Sequence, residues 1–167
     1  GVQFLRMNQQ NKVLQNVSAR QAIDRTIDRK SFVNTLLNDG STPTFSLVPK
    51  NFAKGPDGKD FRTANGDLTK VDTTSAQELW KKAKKELGSE KITLELLTSD
   101  GDLEKKTGEF LKGQLEKNLD GLTVNIKPQP RKQQVSLLLK GDYEIGIDGW
   151  SPDFADPITF LELFTTN

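Results

Sequence analysis

The stretch DYEIGIDGWSPDFADPITFLELF, residues 142–164, predicts a strand, a turn and a helix in succession. Its first part alternates apolar and polar residues with the period of a strand, which places Ile145 and Ile147 on one face. Trp150 follows this strand and offers a large flat apolar surface, and Asp153 comes shortly after it. An acid beside such a surface can meet a cationic group that has lost its water. The stretch therefore predicts a binding edge that suits a peptide terminus.

The second part of the stretch predicts a closing helix. Asp156 is a suitable N-cap, and Pro157 is favoured at the first position of a helix. We therefore assign Asp156 to structure, which leaves Asp153 as the acid for a ligand. The competing interpretation is a core Trp flanked by turn acids. The helix is expected to pack through three apolar side chains, Phe160, Leu161 and Phe164.

Upstream of this stretch, strand-like segments alternate with segments whose apolar residues have helical spacing. Residues 41–73 break the pattern with Pro, Gly and Asn-Gly turn signals and predict a long irregular segment. The alternation favours an α/β domain with a mixed or mainly parallel sheet flanked by helices, and we expect residues 1–167 to form a single domain. The expected strands are residues 4–8, 92–96, 122–126 and 142–148, and the expected helices are residues 16–27, 28–40, 74–87, 103–119 and 130–140.

For some residues in these helices, the sequence also predicts a role as a helix cap or a buried position. Asn16 and Asp28 are suitable N-caps. Trp80 lies on an apolar stripe and is predicted to be in the core. The helix that follows the second strand is expected to turn Leu103 inward. The helix before the last strand is expected to pack through three apolar side chains, Val135, Leu138 and Leu139.

The composition excludes several classes of function. The chain has 24 basic and 23 acidic residues, and a net charge of +1 predicts neither a nucleic-acid partner nor attraction to an anionic membrane. The absence of Cys and His excludes Cys nucleophiles, thiolate or imidazole metal sites and Ser-His-Asp triads. Asp100 and Asp102 resemble the start of a calcium loop, but Lys105 stands where that loop needs Gly. We expect no metal site and no cofactor.

Two motifs resemble those of one known family. The pattern Gly149-Trp150-x-x-Asp153-Phe154-x-Asp156-Pro157 is similar to the Trp-acid-aromatic-Asp-Pro signature of the extracytoplasmic peptide-binding proteins of ABC importers, the oligopeptide and dipeptide receptors of solute-binding family 5. NVSARQAIDRTIDR, residues 16–29, resembles a helix of the same family, with Thr26 in place of the customary Ala. Together the two motifs span nearly the whole chain, and they occur in the right order.

The resemblance implies both a fold and a ligand. The fold would be one lobe of the type II periplasmic-binding-protein-like architecture, here the second ligand-binding lobe of a larger two-lobed protein. An oligopeptide would lie between the lobes, with its α-amino group paired to Asp153, Trp150 as a pocket wall and Phe154 as a further ligand-binding residue. The receptor would deliver the peptide to the membrane permease of an ABC importer without catalysing a reaction.

The resemblance also implies an extracytoplasmic location, in the periplasm or, as a lipoprotein, on the outer face of the cytoplasmic membrane. No run of residues approaches the ~20 apolar residues of a membrane span. The first residues lack the charged and apolar regions of a signal peptide. We therefore expect a signal peptide and a membrane anchor to lie outside this chain.

Other functions stay open on the residues alone. In the same fold, the ligand could be a signalling peptide or a non-peptide solute such as a sugar, a metal chelate or haem. A different class is an adhesion or chaperone-like interaction module, which would bind folded proteins without using Asp153. A carboxylate hydrolase is a third reading, because Asp148, Asp153 and Asp156 are close in sequence. Nothing in the sequence marks a nucleophile or an activated base for that chemistry.

Overall fold

The computed structural model describes residues 1–165 and contains a four-stranded mixed sheet with the order β1-β4-β2-β3. Strands β2, β3 and β4 are parallel to one another, and β1 is antiparallel to β4. This sheet, flanked by helices, confirms the predicted α/β class. The strands are β1 (Val2–Met7), β2 (Ile92–Ser99), β3 (Leu122–Gln129) and β4 (Ile145–Trp150).

Helices connect the strands, and most of them lie close to the predicted segments. The helix α3 continues directly into a π-helical segment, Phe32–Leu37. A short 3-10 turn, Glu162–Phe164, follows the last helix. The helices are α1 (Lys12–Gln15), α2 (Val17–Thr26), α3 (Arg29–Ser31), α4 (Phe61–Asn65), α5 (Thr73–Leu87), α6 (Asp102–Asn118), α7 (Arg131–Lys140) and α8 (Ile158–Leu161).

The two predicted N-caps are confirmed. The side chain of Asn16 accepts a hydrogen bond from the backbone N–H of Ala19 at 2.9 Å. The side chain of Asp28 accepts one from the backbone N–H of Ser31 at 3.0 Å and another from the Ser31 hydroxyl at 2.6 Å. The helix after Asp28 was expected to reach Gly40, which is wrong. It ends earlier, because Asn38 adopts a left-handed conformation with φ of 44°.

The main core fills the space between one face of the sheet and the helices α2, α5 and α6. Trp80 is buried there, as predicted, and its indole N–H donates to the backbone oxygen of Asp120 at 2.9 Å. This bond satisfies the one polar atom of the side chain. Leu103 does not reach this core and is 44% exposed, so the prediction that it turns inward is wrong. It lies in the first turn of α6.

The predicted packing of α7 is only partly right. Leu138 is buried, but Leu139 is 80% exposed and Val135 is also exposed. Helix α7 turns Gln134 and Leu138, which are one turn apart, towards the sheet. The buried Gln134 donates from Nε2 to the backbone oxygen of Ile147 at 2.9 Å. The face of α7 that contacts the sheet therefore carries Gln134, which forms a hydrogen bond to β4. Hydrophobicity alone predicted Val135 or Leu139 on this face.

The remaining differences concern the ends of elements. Strand β4 begins at Ile145, three residues later than the segment predicted from Asp142. Helix α5 is capped by Asp72, and the long segment over residues 41–73 contains the short helix α4. Helix α1 was not predicted.

Within residues 1–165, no helix combines the length and the apolar character that crossing a membrane requires.

We predict that Asp28→Ala lowers the free energy of unfolding by ~1 kcal/mol at pH 7, because it removes the N-cap of α3. Hydrogen bonds from Ser31 hold the pKa of the Asp28 carboxyl below its usual value. A carboxyl whose pKa is lower in the folded state stabilises the protein above its unfolded pKa, ~3.9, and loses this effect as the pH falls. The difference between the two proteins in urea unfolding should therefore shrink below about pH 4.

The matched control for this change is Glu78→Ala. Glu78 is an exposed acid on α5 without a salt bridge in the described part of the chain. It should change stability little at either pH. An equal loss for both variants, or a loss at Asp28 that does not depend on pH, would contradict the role of the cap.

Candidate functional site

The carboxyl ends of the three parallel strands meet at one edge of the sheet, and the Trp150 corner, residues 150–157, projects from that edge. Strand β4 pairs with β2 only at Ile145 and Gly146, so the rest of β4 is held by β1 alone. Helix α7 approaches the start of β4 closely, since a Cβ on Gly146 would lie 2.5 Å from Leu138 Cδ2. In open α/β sheets, ligands bind outside the carboxyl ends of the strands. The corner therefore has the position expected of a binding site.

Trp150 is partly buried in a second apolar cluster at this end of the molecule. The buried members of the cluster are Val2, Val48 and Phe160. Trp150 packs against them together with Phe4 and several other aromatic and aliphatic side chains. The cluster joins the start of the chain, the irregular segment and α8. Trp150 therefore packs in a core, as one interpretation of the sequence had it. It also leaves part of its ring exposed, as the interpretation of a binding surface requires.

Thr159 fixes the geometry of the corner, and sequence reasoning did not identify it. Its side chain is completely buried. Thr159 Oγ1 accepts from the Trp150 indole N–H at 3.3 Å and from the backbone N–H of Asp153 at 3.3 Å. One hydroxyl therefore links the Trp150 ring to the backbone of Asp153. No local pattern marks this threonine, because both partners reach it only after α8 has folded back.

The three acids near the corner have different environments. Asp148 forms a salt bridge with Arg6 at 2.9 Å, and the carboxylate of Asp156 accepts from the backbone N–H of Ile158 at 2.9 Å. This bond supports a structural role for Asp156, but the predicted cap is one residue out of place: Pro157 is the N-cap of α8, which begins at Ile158. Within residues 1–165, the Asp153 carboxylate has neither a hydrogen bond nor a salt bridge, and the residue is exposed. Asp153 is therefore the one of these three acids whose carboxylate has no partner among the described residues.

Two exposed apolar residues follow this acid closely in the sequence. Phe154 is 48% exposed, and Ile158 in the next turn is also exposed. Exposed aromatic side chains next to an unpaired acid are typical of a binding surface rather than of a core. Within the described residues, no group of three or more acids could hold a metal ion. The corner offers the partnerless carboxylate of Asp153 and two aromatic surfaces, Trp150 and Phe154.

Comparison with known proteins identifies the family. Residues 1–167 match the family described as bacterial extracellular solute-binding proteins, family 5 Middle. The chain belongs to this family. The dipeptide-binding protein of Lactococcus lactis subsp. cremoris (strain MG1363) is 41% identical over 157 residues, which cover 93% of this chain and 28% of that protein. The family resemblance predicted from the two motifs is thus confirmed.

Two solved structures have the same fold as this chain. The substrate-binding domain of an oligopeptide ABC transporter from Bacillus anthracis str. Ames is 48% identical, with a TM-score of 0.94 over 98% of this chain. Listeria monocytogenes OppA bound to peptide is 38% identical, with a TM-score of 0.96 over 99% of this chain. The predicted periplasmic-binding-protein-like lobe is confirmed. The family 5 chain spans about a third of each of these structures, 32% and 33% respectively.

We predict that Thr159→Val in this family 5 chain loosens the Trp150 corner. The isosteric change removes the acceptor for two N–H groups, which should cost ~1 kcal/mol of stability. The indole N–H of Trp150 should also exchange faster with solvent in NMR spectra. Thr159→Ser keeps the hydroxyl and should retain slow exchange, whereas equal behaviour of the Val and Ser variants would contradict the role of the hydroxyl.

Proposed function

We propose that residues 1–167 form a ligand-binding lobe, a single domain of a two-lobed receptor that captures oligopeptides for an ABC importer. The observation that carries the proposal is the Trp150 corner at the carboxyl ends of the parallel strands. There Asp153, an exposed acid without a partner within residues 1–165, follows the partly buried Trp150 and precedes the exposed Phe154. The family assignment and the solved relative with a bound peptide support it. The lobe binds its ligand and does not change it chemically.

In this mechanism, Asp153 pairs with the α-ammonium group of the peptide. Trp150 and Phe154 exclude water from the ion pair, which strengthens its attraction. Main-chain hydrogen bonds to the extended peptide give affinity that does not depend on its sequence. Thr159 fixes both Trp150 and the backbone of Asp153. The side chains that bind the ligand are therefore preorganised before the ligand arrives.

The remaining parts of the proposal concern the whole receptor. A second lobe closes over the peptide about a hinge, and the closed form presents a surface to the membrane permease. The receptor works outside the cytoplasm, in the periplasm or on the outer face of the membrane. Any lipid anchor lies in polypeptide outside residues 1–167. The family assignment supports this arrangement, and so does the position of the Trp150 corner at the carboxyl ends of the parallel strands.

We predict that Asp153→Asn in the full-length receptor weakens binding of a peptide with a free N-terminus. The loss should be about 2–5 kcal/mol, because the ammonium group would be buried without its counter-charge. Binding is measured by isothermal titration calorimetry with one peptide in its free and N-acetylated forms. The wild-type protein should prefer the free form, and the variant should lose this preference.

The matched control is Asp142→Asn. Asp142 is an exposed acid just before the opposite end of β4, so its loss should leave both affinities unchanged. Wild-type receptor that binds both forms of the peptide equally would contradict the role of Asp153. Binding of a sugar, a metal chelate or haem instead of peptides would contradict the ligand class, and binding of folded proteins that is independent of Asp153 would indicate an interaction module.

A further inference from the structure

Strands β2 and β4 separate before either of them ends. They pair only at Ile145 and Gly146 of β4. Beyond these residues β4 continues to Trp150 beside β1, and β2 continues to Ser99 beside β3. A gap between β2 and β4 therefore opens towards the carboxyl ends of the strands, on the side of the Trp150 corner.

The backbone oxygen of Ile147 faces this gap. The N–H of Asn8 donates to the backbone oxygen of Glu144 at 2.9 Å, so Glu144 faces β1. Residues of an antiparallel strand alternate in the direction of their backbone groups. Ile147 and Gly149 therefore direct theirs away from β1, and the pairing with β2 does not extend beyond Gly146. The last residues of β4 thus need another partner on this side.

Gln134 on α7 supplies that partner. Its side chain is buried, with 1% of its surface exposed. Nε2 of Gln134 donates to the backbone oxygen of Ile147 at 2.9 Å, and Oε1 accepts from the Arg131 guanidinium at 2.7 Å. Because a guanidinium only donates and a carbonyl only accepts, these two bonds determine the orientation of the amide. Gln134 therefore joins α7 to β4 at the first residue after the pairing with β2 ends.

The amide does what an apolar side chain of the same size could not do. A buried amide lowers stability unless it is hydrogen-bonded, and here both its nitrogen and its oxygen have partners. Its bond to Ile147 replaces the next backbone donor that β2 would offer in a continuous ladder. Helix α7 has little freedom to shift, because Leu138 packs tightly over Gly146. The distance between α7 and the end of β4 is therefore set from two sides.

We propose that Gln134 is a positioning residue for ligand binding, which holds the end of β4 apart from β2 and thereby sets the place of Trp150. Gln134 acts through the backbone of Ile147 and does not touch the ligand. Arg131 supports it from the start of α7. The inference rests on the proposed function of the Trp150 corner. It adds a contact that holds the corner from the side of α7, whereas Thr159 holds it from the side of α8.

The first test is Gln134→Leu in the full-length receptor, which keeps the approximate size of the side chain and removes both hydrogen bonds. Isothermal titration calorimetry measures the binding of one peptide in its free and N-acetylated forms. We expect both forms to bind roughly 10-fold more weakly, because the whole corner is displaced. The preference for the free form should remain, in contrast to Asp153→Asn. The matched control is Gln133→Leu at the exposed neighbouring position of α7, which should leave both affinities unchanged.

A second measurement does not depend on peptide binding. In NMR spectra of the receptor without peptide, the backbone amide of Gly149 and the indole N–H of Trp150 should shift in Gln134→Leu and stay in place in Gln133→Leu. If these signals shift but the wild-type receptor binds no peptide, the proposed function is contradicted and the role of Gln134 in placing the corner is supported.

Arg131→Met provides a variant at an exposed position, and it decides the question if Gln134→Leu does not fold. It leaves Oε1 of Gln134 without its partner, so the same NMR signals should shift and both peptide forms should bind more weakly, by a smaller factor. Unchanged affinities and unchanged NMR signals in a folded but less stable Gln134→Leu protein would overturn the proposal, because Gln134 would then serve stability alone. Loss of the preference for the free peptide would also overturn it.

Discussion

The antiparallel pairing of β1 with β4 is the constraint on which the rest of the structure depends. It joins residues at the start of the chain to residues near its end, with Val2 opposite Trp150 and Met7 opposite Ile145. Because β2 leaves β4 after Gly146, this pairing alone carries the last residues of β4 to the edge of the sheet. The position of the Trp150 corner is therefore a consequence of this one contact. Pairing two segments so far apart in the sequence costs considerable chain entropy, which the two apolar clusters offset.

The corner shows how a structural contact and a binding surface share the same side chains. Part of the Trp150 ring packs against the cluster that contains Val2 and Phe160, and the rest of the ring is exposed to solvent. The buried hydroxyl of Thr159 holds both the indole and the backbone of Asp153. Of the three neighbouring acids, two are used for folding, by a salt bridge and by the start of α8. The acid that folding does not use is the one with which we expect the ligand to pair.

Much of the fold could be predicted from the sequence, because local signals determine it. The alternation around Ile145 gave the last strand, and the side chains of Asn16 and Asp28 gave two helix starts. The failures came where tertiary contacts decide. Leu139 is exposed because Gln134, a polar residue, takes the position against β4. Thr159 was missed because its partners are brought to it by the return of α8, and the position of β1 at the edge of the sheet depends on a strand order that no local pattern reveals. Trp150 and Asp153 could be proposed as site residues from the motif, but their unequal burial needed the structure.

Native mass spectrometry of the full-length protein as purified, followed by release and sequencing of the bound material, would show what the Trp150 corner holds. We expect a set of peptides with free N-termini, bound by the wild-type protein and lost in the Asp153→Asn variant. A bound sugar, metal complex or haem, or peptides retained equally by both proteins, would contradict the claim that the Trp150 corner captures the peptide N-terminus.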